Sequence, residues 1–83
     1  MFDLDFMNKE MTYDKQKKHT TANGKYFIST NLTWDHGWET MVFSRNPDNG
    51  DIDYCELDVD RYNDENEAYQ GHDIMIQKWE AKS

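Results

Sequence analysis

Residues 38–79 read WETMVFSRNPDNGDIDYCELDVDRYNDENEAYQGHDIMIQKW, and this stretch decides the fold. Within it, residues 38–45 and 51–60 alternate with the period of two that is typical of β-strands. The NPDNG segment between them, at 46–50, combines a proline that presets φ with an Asn-Gly pair that adopts left-handed conformations at low cost. The stretch therefore predicts an antiparallel hairpin, followed by one closing helix at about residues 64–81.

The predicted helix has one apolar face and charges that suit its dipole. Asn63 is the expected N-cap, acids fill the first turn, and lysines lie near the C-terminal end. Gly71 costs roughly 1 kcal/mol relative to alanine inside a helix, so we expect a side chain from the sheet, such as a tryptophan, to pack against it. We interpret His72 as a packed histidine at the edge of the core. The apolar face comprises Ala68, His72, Met75, Ile76 and Trp79.

Asn23-Gly24 is the strongest short-range hairpin signal in the chain. An Asn-Gly pair favours a two-residue type I′ turn, which would pair residues 18–22 with residues 25–29. The second strand of this hairpin continues to about residue 34 with one half-buried face. That face comprises Tyr26, Ile28, Thr30, Leu32 and Trp34.

Together these segments predict an α+β fold with one C-terminal helix packed on one face of an antiparallel meander sheet of three to four strands. The predicted strands span about 19–22, 25–34, 38–45 and 51–60. In the last strand, Cys55, Leu57 and Val59 are expected beneath the helix beside Met41 and Phe43. The opposite, solvent-facing set would be Tyr54, Glu56, Asp58 and Asp60.

Residues 1–18 form an N-terminal arm, and residues 19–83 form a single small domain. Phe2, Leu4 and Phe6 alternate with aspartates, which is typical of a short half-buried strand. A frayed terminus accounts for the arm equally well, because terminal residues are often poorly held. The N-terminal residues have no basic lead and do not resemble a signal peptide.

The charge of −8 is concentrated in the second half of the chain. Residues 34–83 hold thirteen acids against four bases, whereas residues 1–33 hold four acids against five lysines. Direct binding to nucleic acid is disfavoured, because phosphate recognition needs a basic face. No apolar run approaches the roughly 18 residues that a spanning helix needs, so we expect no membrane segment and an intracellular protein.

No catalytic or cofactor motif is present in the sequence. Phosphate loops, glycine-rich nucleotide fingerprints and nucleophile elbows are absent, so we expect no enzyme, no cofactor and no metal centre. A calcium loop of the EF-hand type fails because Arg45 and Pro47 would hold its first and third ligand positions. A weaker cation site at Asp48, Asp51 and Asp53 remains open. The single Cys55 is interpreted as a small core residue.

Three pieces of residues 39–79 resemble one known family. ETMVF at 39–43, ELDVDRY at 56–62 and the helical EAYQGH…M…W at 67–79 resemble small uncharacterised proteins of tailed phages and prophages of Gram-positive bacteria. The resemblance covers about half of the chain and carries no functional residues with it. It implies a phage accessory protein made in the cytoplasm of an infected bacterium.

The leading functional hypothesis is binding to a host protein, such as a nucleic-acid-binding or defence protein, with acids standing where phosphates normally lie. The candidate partner-binding residues are Asp51, Asp53, Glu56, Asp58, Asp60, Asp64 and Glu65. The alternative is a homo-oligomer or virion-associated module that uses exposed Trp34 and Trp38. A third interpretation gives the acids only a role in solubility or in protecting an edge strand from self-pairing.

Overall fold

The computed structural model describes residues 16–33 and 37–82. These residues form one antiparallel sheet with the strand order β1-β2-β3-β4, followed by a helix that contacts all four strands. The α+β meander with a C-terminal helix is therefore confirmed. The predictions for the arm before residue 16 and for Trp34 lie outside the described residues. The elements are β1 Lys17–Thr20, β2 Tyr26–Thr33, β3 Gly37–Arg45, β4 Ile52–Tyr62 and α1 Glu65–Lys82.

The first hairpin has the expected register but a different turn. Thr20 lies opposite Phe27, as a pairing of residues 18–22 with 25–29 requires. The turn is closed by Gly24 N, which donates to Thr21 O at 2.8 Å, so β1 ends before a two-residue turn would begin. The amide of Lys25 donates to the Asn23 side chain at 2.9 Å instead of to the backbone. This side-chain bond accounts for the difference from a type I′ turn.

The second hairpin loop closes as predicted and is linked to the first turn. Gly50 N donates to Asn46 O at 2.8 Å, and Gly50 adopts a left-handed φ of 79°. Arg45 extends from the end of β3 and donates from Nη1 to Gly24 O at 2.9 Å. A Cβ on Gly50 would lie 3.1 Å from Nη2 of the same guanidinium. One arginine therefore packs against both turns at the same end of the sheet.

The core lies between α1 and the two central strands. Ile28 and Val42 are fully buried and pack against Met75 of the helix. Tyr26 and Trp79 close one end of this cluster with ring centroids 4.9 Å apart. Full burial of an aliphatic side chain contributes roughly 1.5–3 kcal/mol, so Ile28 and Val42 stabilise the contact between sheet and helix.

The strand register determines which β4 residues face the helix. Val42 lies opposite Asp58, and Met41 lies opposite Val59. Because Val42 belongs to the core with Met75, Asp58 is on the helix side of the sheet. Met41 and Val59 are on the other side, since neighbouring residues of a strand point to opposite faces.

The expectation that Cys55, Leu57 and Val59 pack beneath the helix is therefore wrong. Leu57 is 49% exposed, and Cys55 is exposed rather than a small core residue. The physical reason lies in β3, which has apolar side chains on both faces. Alternation alone did not determine which set the helix would cover, and the helix covers the set that contains Val42.

The ring of Tyr62 packs directly against Gly71 of α1. A Cβ on Gly71 would overlap the phenol ring of Tyr62, so only glycine fits there without movement of the ring. The expected sheet side chain is thus a tyrosine and not a tryptophan. Its position depends on β4 continuing to Tyr62, two residues beyond the predicted strand end at 60.

With Asn63 as the N-cap, the helix would begin at residue 64, but α1 begins at Glu65. Glu67 N donates to the Asp64 carboxylate at 2.9 Å, which makes Asp64 the capping side chain. The Glu67 side chain in turn accepts from Asn63 N at 3.1 Å, in a reciprocal arrangement close to a capping box. The expectation of an acidic first turn is confirmed by Glu65 and Glu67.

Candidate functional site

The edge strand β4 contains a large bulge. Val42 pairs with Asp58 and Ser44 pairs with Asp53, so only Phe43 lies between these positions on β3. On β4, four residues lie between them, at 54–57, which is three more than a regular ladder would hold. We call residues 54–57 the β4 bulge. Bulges redirect side chains and are frequent at sheet edges and next to functional sites.

The β4 bulge exposes a mixture of apolar, polar and acidic side chains. Tyr54 is 70% exposed although its ring meets the edge of Phe43 at 5.1 Å. Leu57 is 49% exposed, and Cys55 and Glu56 are exposed as well. The bulge therefore presents an aromatic and an aliphatic side chain on either side of a carboxylate.

The sequence contained a signal for this bulge that the strand prediction missed. Ile52 and Tyr54 share one phase of the alternation, whereas Cys55, Leu57 and Val59 share the other. The adjacent residues Tyr54 and Cys55 thus mark a change of phase. A regular strand cannot place both sets of apolar residues on the same face, because its side chains alternate between faces. The phase change falls at residues 54 and 55, inside the bulge.

Four of the seven predicted partner-binding acids accept hydrogen bonds from nearby backbone amides. Each distance is between 2.9 and 3.1 Å. On β4 the donors are at alternate or bulged positions, and β4 is the edge of the described sheet. N–H groups at such positions point away from β3, the strand with which β4 pairs. These carboxylates therefore satisfy donors that the sheet leaves open. The pairs are Asp53 with Cys55 N, Asp58 with Val59 N, Asp60 with Arg61 N and Asp64 with Glu67 N.

Asp58 also connects the edge to the helix. Its Oδ2 accepts from Lys78 Nζ at 2.7 Å and from Trp79 Nε1 at 3.1 Å. The Lys78 hydrogen bond lowers the pKa of Asp58 below its ordinary value against the opposing effect of burial, and the Trp79 bond adds to the lowering. Asp58 is half-buried, so it is the least available of the predicted binding residues.

The remaining predicted residues lie at different places along the same edge. Asp51 is exposed just before β4, and Glu56 is exposed in the bulge. Glu65 is half-buried in the first turn of α1, beside Asp64 and Tyr69, where a shallow depression of about 400 Å³ opens. The seven acids thus follow the β4 edge from the hairpin loop to the helix start and do not form one flat face. Asp58 and Asp60 lie on the helix side of the sheet, opposite Val42 and Thr40, and not on a solvent face opposite the helix.

A second polar feature, which the sequence did not reveal, is a buried chain of hydrogen bonds beneath α1. His72 Nδ1 lies 2.7 Å from the Thr30 hydroxyl, which is hydrogen-bonded to the Thr40 hydroxyl. The Tyr62 hydroxyl donates to Thr40 at 3.0 Å. The chain joins the helix to three strands. The interpretation of His72 as a packed histidine fits its exposure of 4%.

Burial determines the protonation of this chain. It lowers the pKa of His72, with Lys17 and His19 adding to the lowering and Asp73 opposing it. Burial also raises the pKa of Tyr62. With Tyr62 donating to Thr40, donation can continue through Thr30 to His72 only if Nδ1 carries no proton. A neutral His72 with its proton on Nε2 therefore suits the chain.

The described residues bring no catalytic pair or metal site together at either feature. His72 bonds to β2, two strands away from Cys55 in β4, which corresponds to about 10 Å across a sheet. Within residues 16–33 and 37–82, no three His, Cys, Asp or Glu side chains form a metal-binding group, so Asp48, Asp51 and Asp53 do not converge. Residues 16–33 and 37–82 contain one helix, α1. This helix is not apolar enough to cross a membrane.

No protein-family model matches the chain, and no curated protein or solved structure gives a match.

Proposed function

We propose that this protein binds a partner protein through the β4 edge, centred on the β4 bulge. The observation that carries the proposal is the exposure of Tyr54 and Leu57, at 70% and 49%, within the most acidic part of the chain. Tyrosine is enriched among residues that dominate binding energy. Exposed apolar groups with a charged rim are typical of interaction surfaces.

The charge of the edge indicates the chemistry of the partner surface. Residues 48–67 hold nine acids against Arg61 alone. A basic partner surface with an apolar pocket would match both the carboxylates and the two exposed apolar side chains. Association with such a surface would be faster at low salt, because complementary charges steer the encounter.

Phosphate mimicry is the specific form of this proposal. We propose that the partner is a host nucleic-acid-binding or defence protein, and that the edge carboxylates occupy the places of phosphates in the cytoplasm of an infected bacterium. Asp51 and Glu56 are the best candidates because both are exposed and outside the helix interface. Asp58 is the weakest, because Lys78 and Trp79 already bind it.

Binding rather than catalysis suits the chemistry of the chain. His72 is enclosed beneath α1 and committed to Thr30, and Cys55 lies at the exposed edge two strands away. A nucleophile and a base need to be within hydrogen-bond distance of each other. We therefore propose no enzymatic activity.

Affinity capture from a Gram-positive bacterial lysate, followed by binding measurements on the captured protein, tests this function. The double variant Tyr54→Ser/Leu57→Ser should weaken binding by roughly tenfold or more, which corresponds to about 1.4 kcal/mol. Ile74→Ser is the matched control, because Ile74 is 66% exposed on α1, away from the bulge. Equal losses in the two variants would contradict a site at the bulge.

Charge reversal separates mimicry from simple apolar contact. Asp51→Lys/Glu56→Lys should abolish capture of the partner at low salt. The control is Asp73→Lys, at an exposed position of α1, which should retain capture at neutral or higher pH. If the captured protein binds nucleic acid, the wild-type protein should compete with a DNA or RNA oligonucleotide for it. Binding that is unaffected by Asp51→Lys/Glu56→Lys would remove phosphate mimicry from the proposal.

The alternative proposal is a homo-oligomeric or virion-associated module. Its proposed contact residue Trp38 is only 7% exposed and packs edge-on against Tyr69 at 5.9 Å, so it is not available on the surface. The capped amides of β4 also disfavour growth of the sheet into a second copy. Sedimentation at high protein concentration distinguishes this alternative, which requires a species larger than the monomer.

A further inference from the structure

The β4 bulge separates two parts of β4 that pair with β3 in different registers. Before the bulge, Ser44 lies opposite Asp53, which we call the loop register. After the bulge, Val42 lies opposite Asp58, which we call the helix register. If the loop register continued along the strand, Val42 would lie opposite Cys55 instead. The two registers therefore differ by three residues of β4.

The hairpin loop imposes the loop register. Asn46 N donates to Asp51 O at 2.8 Å, and Gly50 N donates to Asn46 O at 2.8 Å. The next pair along the hairpin is Arg45 with Ile52, which belongs to the loop register. Loop length and turn type normally fix the register of a hairpin. A regular hairpin would therefore keep the loop register over the whole of β4.

Contacts with α1 hold the helix register. Asp58 Oδ2 accepts from Lys78 Nζ at 2.7 Å and from Trp79 Nε1 at 3.1 Å. Four residues later, the ring of Tyr62 packs directly against Gly71. The part of β4 after the bulge is thus attached to the helix at two points, whereas the part before it follows the loop.

The docked helix is incompatible with the loop register after the bulge. A change of three residues would move this part of β4 by about 10 Å along the strand. Tyr62 would move with it, and residues 63–64 connect Tyr62 to the start of α1 at Glu65. Such a displacement would separate Tyr62 from Gly71 and Asp58 from Lys78. The bulge therefore takes up the three residues by which the two registers differ.

The loop register is also the one that the alternation of the sequence favours. Continued over β4, it would place Cys55 opposite Val42 and Leu57 opposite Thr40. Val42 and Thr40 are fully buried, so Leu57 would lose its exposure in that arrangement. The helix register instead leaves Leu57 49% exposed in the bulge. The exposure of Leu57 thus depends on the contacts between β4 and α1.

We propose that Asp58 and Tyr62 are positioning residues of the binding site, because they hold β4 in the helix register that creates the bulge. This inference rests on the proposed function of the β4 bulge. It gives Asp58 a part in binding although Lys78 and Trp79 occupy its carboxylate. Asp58 determines the exposure of Leu57 and does not itself contact the partner.

Nuclear Overhauser effects between α-protons of β3 and β4 report the register without any partner. Val59 N bonds to the Asp58 side chain, so Met41 and Val59 form a pair without backbone hydrogen bonds. The Cα atoms of such pairs are about 4.5 Å apart, which brings their α-protons together. The wild-type protein should show the Met41–Val59 contact. The variant Asp58→Ala/Tyr62→Ala should show a Met41–Glu56 contact, which belongs to the loop register.

Ile28→Ala is the matched control for this variant. Ile28 is fully buried in the core with Met75, and its truncation leaves both anchors of β4 in place. The control should lower the urea midpoint and show the Met41–Val59 contact alone. A Met41–Glu56 contact in the control would overturn the proposal, because loss of stability would then suffice to change the register. A folded Asp58→Ala/Tyr62→Ala variant with the Met41–Val59 contact alone would overturn it as well.

Deletion of residues 55–57 tests the inference even if the double variant does not fold. The deletion removes the three residues by which the registers differ, so one continuous ladder can satisfy both the loop and the helix. The deletion variant should keep the Met41–Val59 contact, and its urea midpoint should be no lower than that of the wild type. Loss of this contact would show that the loop and the helix do not fix separate registers, and the proposal would fail.

Capture of the partner distinguishes this inference from the proposed function. Asp58→Ala/Tyr62→Ala should weaken binding roughly tenfold or more together with the change of register. A changed register with undiminished binding would show that the bulge is not the binding site, and the proposed function would fail. An unchanged register, with binding weakened by Tyr54→Ser/Leu57→Ser, would leave the proposed function standing and overturn the positioning role.

Discussion

The helix–sheet interface and the β4 edge satisfy their polar groups in opposite ways. Beneath α1, hydrogen bonds join residues that are distant in sequence: Thr30 to His72 across 42 positions, and Thr40 to Tyr62 across 22. On the edge, Asp53 and Asp60 accept hydrogen bonds from amides one or two residues further along the chain. Long-range bonds fix elements relative to one another, whereas local bonds fix only a side chain. The edge is therefore free to vary and to bind, and the interface is not.

Gly71→Ala should produce the largest loss of stability, because it places a methyl group in the Tyr62 ring. Overpacking of a rigid site costs about 3 kcal/mol, which exceeds the roughly 1 kcal/mol that alanine gains in a helix. Urea unfolding measures the change. The double variant Gly71→Ala/Tyr62→Ala should recover stability relative to Tyr62→Ala alone. An additive loss in the double variant would show that the ring does not set the cost.

Thr40→Val should cost about 2 kcal/mol, since it leaves the Tyr62 hydroxyl and the Thr30 hydroxyl without their shared partner in a buried place. Thr20→Val on β1 is the matched control, because Thr20 is exposed, and it should change stability by less than about 0.5 kcal/mol. If the two variants lose the same amount, the buried chain has no special contribution and the contrast between interface and edge fails.

The stability of the interface should decrease in mild acid through His72. Burial lowers the folded-state pKa of His72 below the ordinary value of 6.5, so the unfolded chain binds more protons in the window beneath 6.5. Neutral His72 therefore makes its full contribution to the free energy of unfolding above about pH 6.5. This contribution is lost as the pH falls from 6.5 toward the folded-state pKa of His72. Urea midpoints measured between pH 5 and 8 should show this slope, and His72→Gln should flatten it.

His19 provides the control for this pH dependence. It faces α1 from β1, where Nε2 lies 2.8 Å from Glu80 Oε2, and Glu80 also accepts from Ala22 N. The hydrogen bond from His19 lowers the pKa of Glu80, and the Ala22 amide adds to the lowering. His19→Gln removes this contact and leaves the hydrogen bond between His72 and Thr30 in place, so the slope should persist in this variant. A flatter profile in His19→Gln would assign the slope to the wrong histidine.

Asp60→Ala on the edge should have the smallest effect. The Arg61 amide that Asp60 caps can turn to water when the carboxylate is removed, so the cost should be about 0.5 kcal/mol or less at this exposed position. Urea unfolding beside Thr40→Val checks the ranking. A loss as large as that of Thr40→Val would show that the edge carboxylates hold the fold together.

The fold was predictable because its signals are local. The glycine-containing turns and the helical spacing of Ala68, His72 and Met75 each specify one element, and short connections leave a meander as the simple arrangement. The choice of sheet face was not predictable, because β3 is apolar on both sides. The face that the helix covers depends on its contacts with Val42 and Tyr62. These residues are 20 positions apart in the sequence, and both pack against α1.

The candidate site was predictable only in part. The concentration of acid indicated the β4 edge, but alternation treated residues 51–60 as regular and missed the bulge at 54–57. The hydrogen bonds of Asp53 and Asp60 to nearby amides could not be predicted from residue types either. The sequence does not distinguish a carboxylate that binds a backbone amide from one that faces a partner. Tyr54 was not among the predicted partner-binding residues, although it is exposed and lies at the centre of the proposed binding site.

The contact of Arg45 with both hairpin turns has a consequence for the order of folding. Every strand pairs with its sequence neighbour, and such hairpins form in about 1–10 μs. The guanidinium can bond to Gly24 O only after the β1–β2 turn and the end of β3 have come together. This contact should therefore form late, so Arg45→Met should accelerate unfolding and leave the refolding rate nearly unchanged. In kinetic terms, the arginine lengthens the lifetime of the folded sheet without guiding its formation.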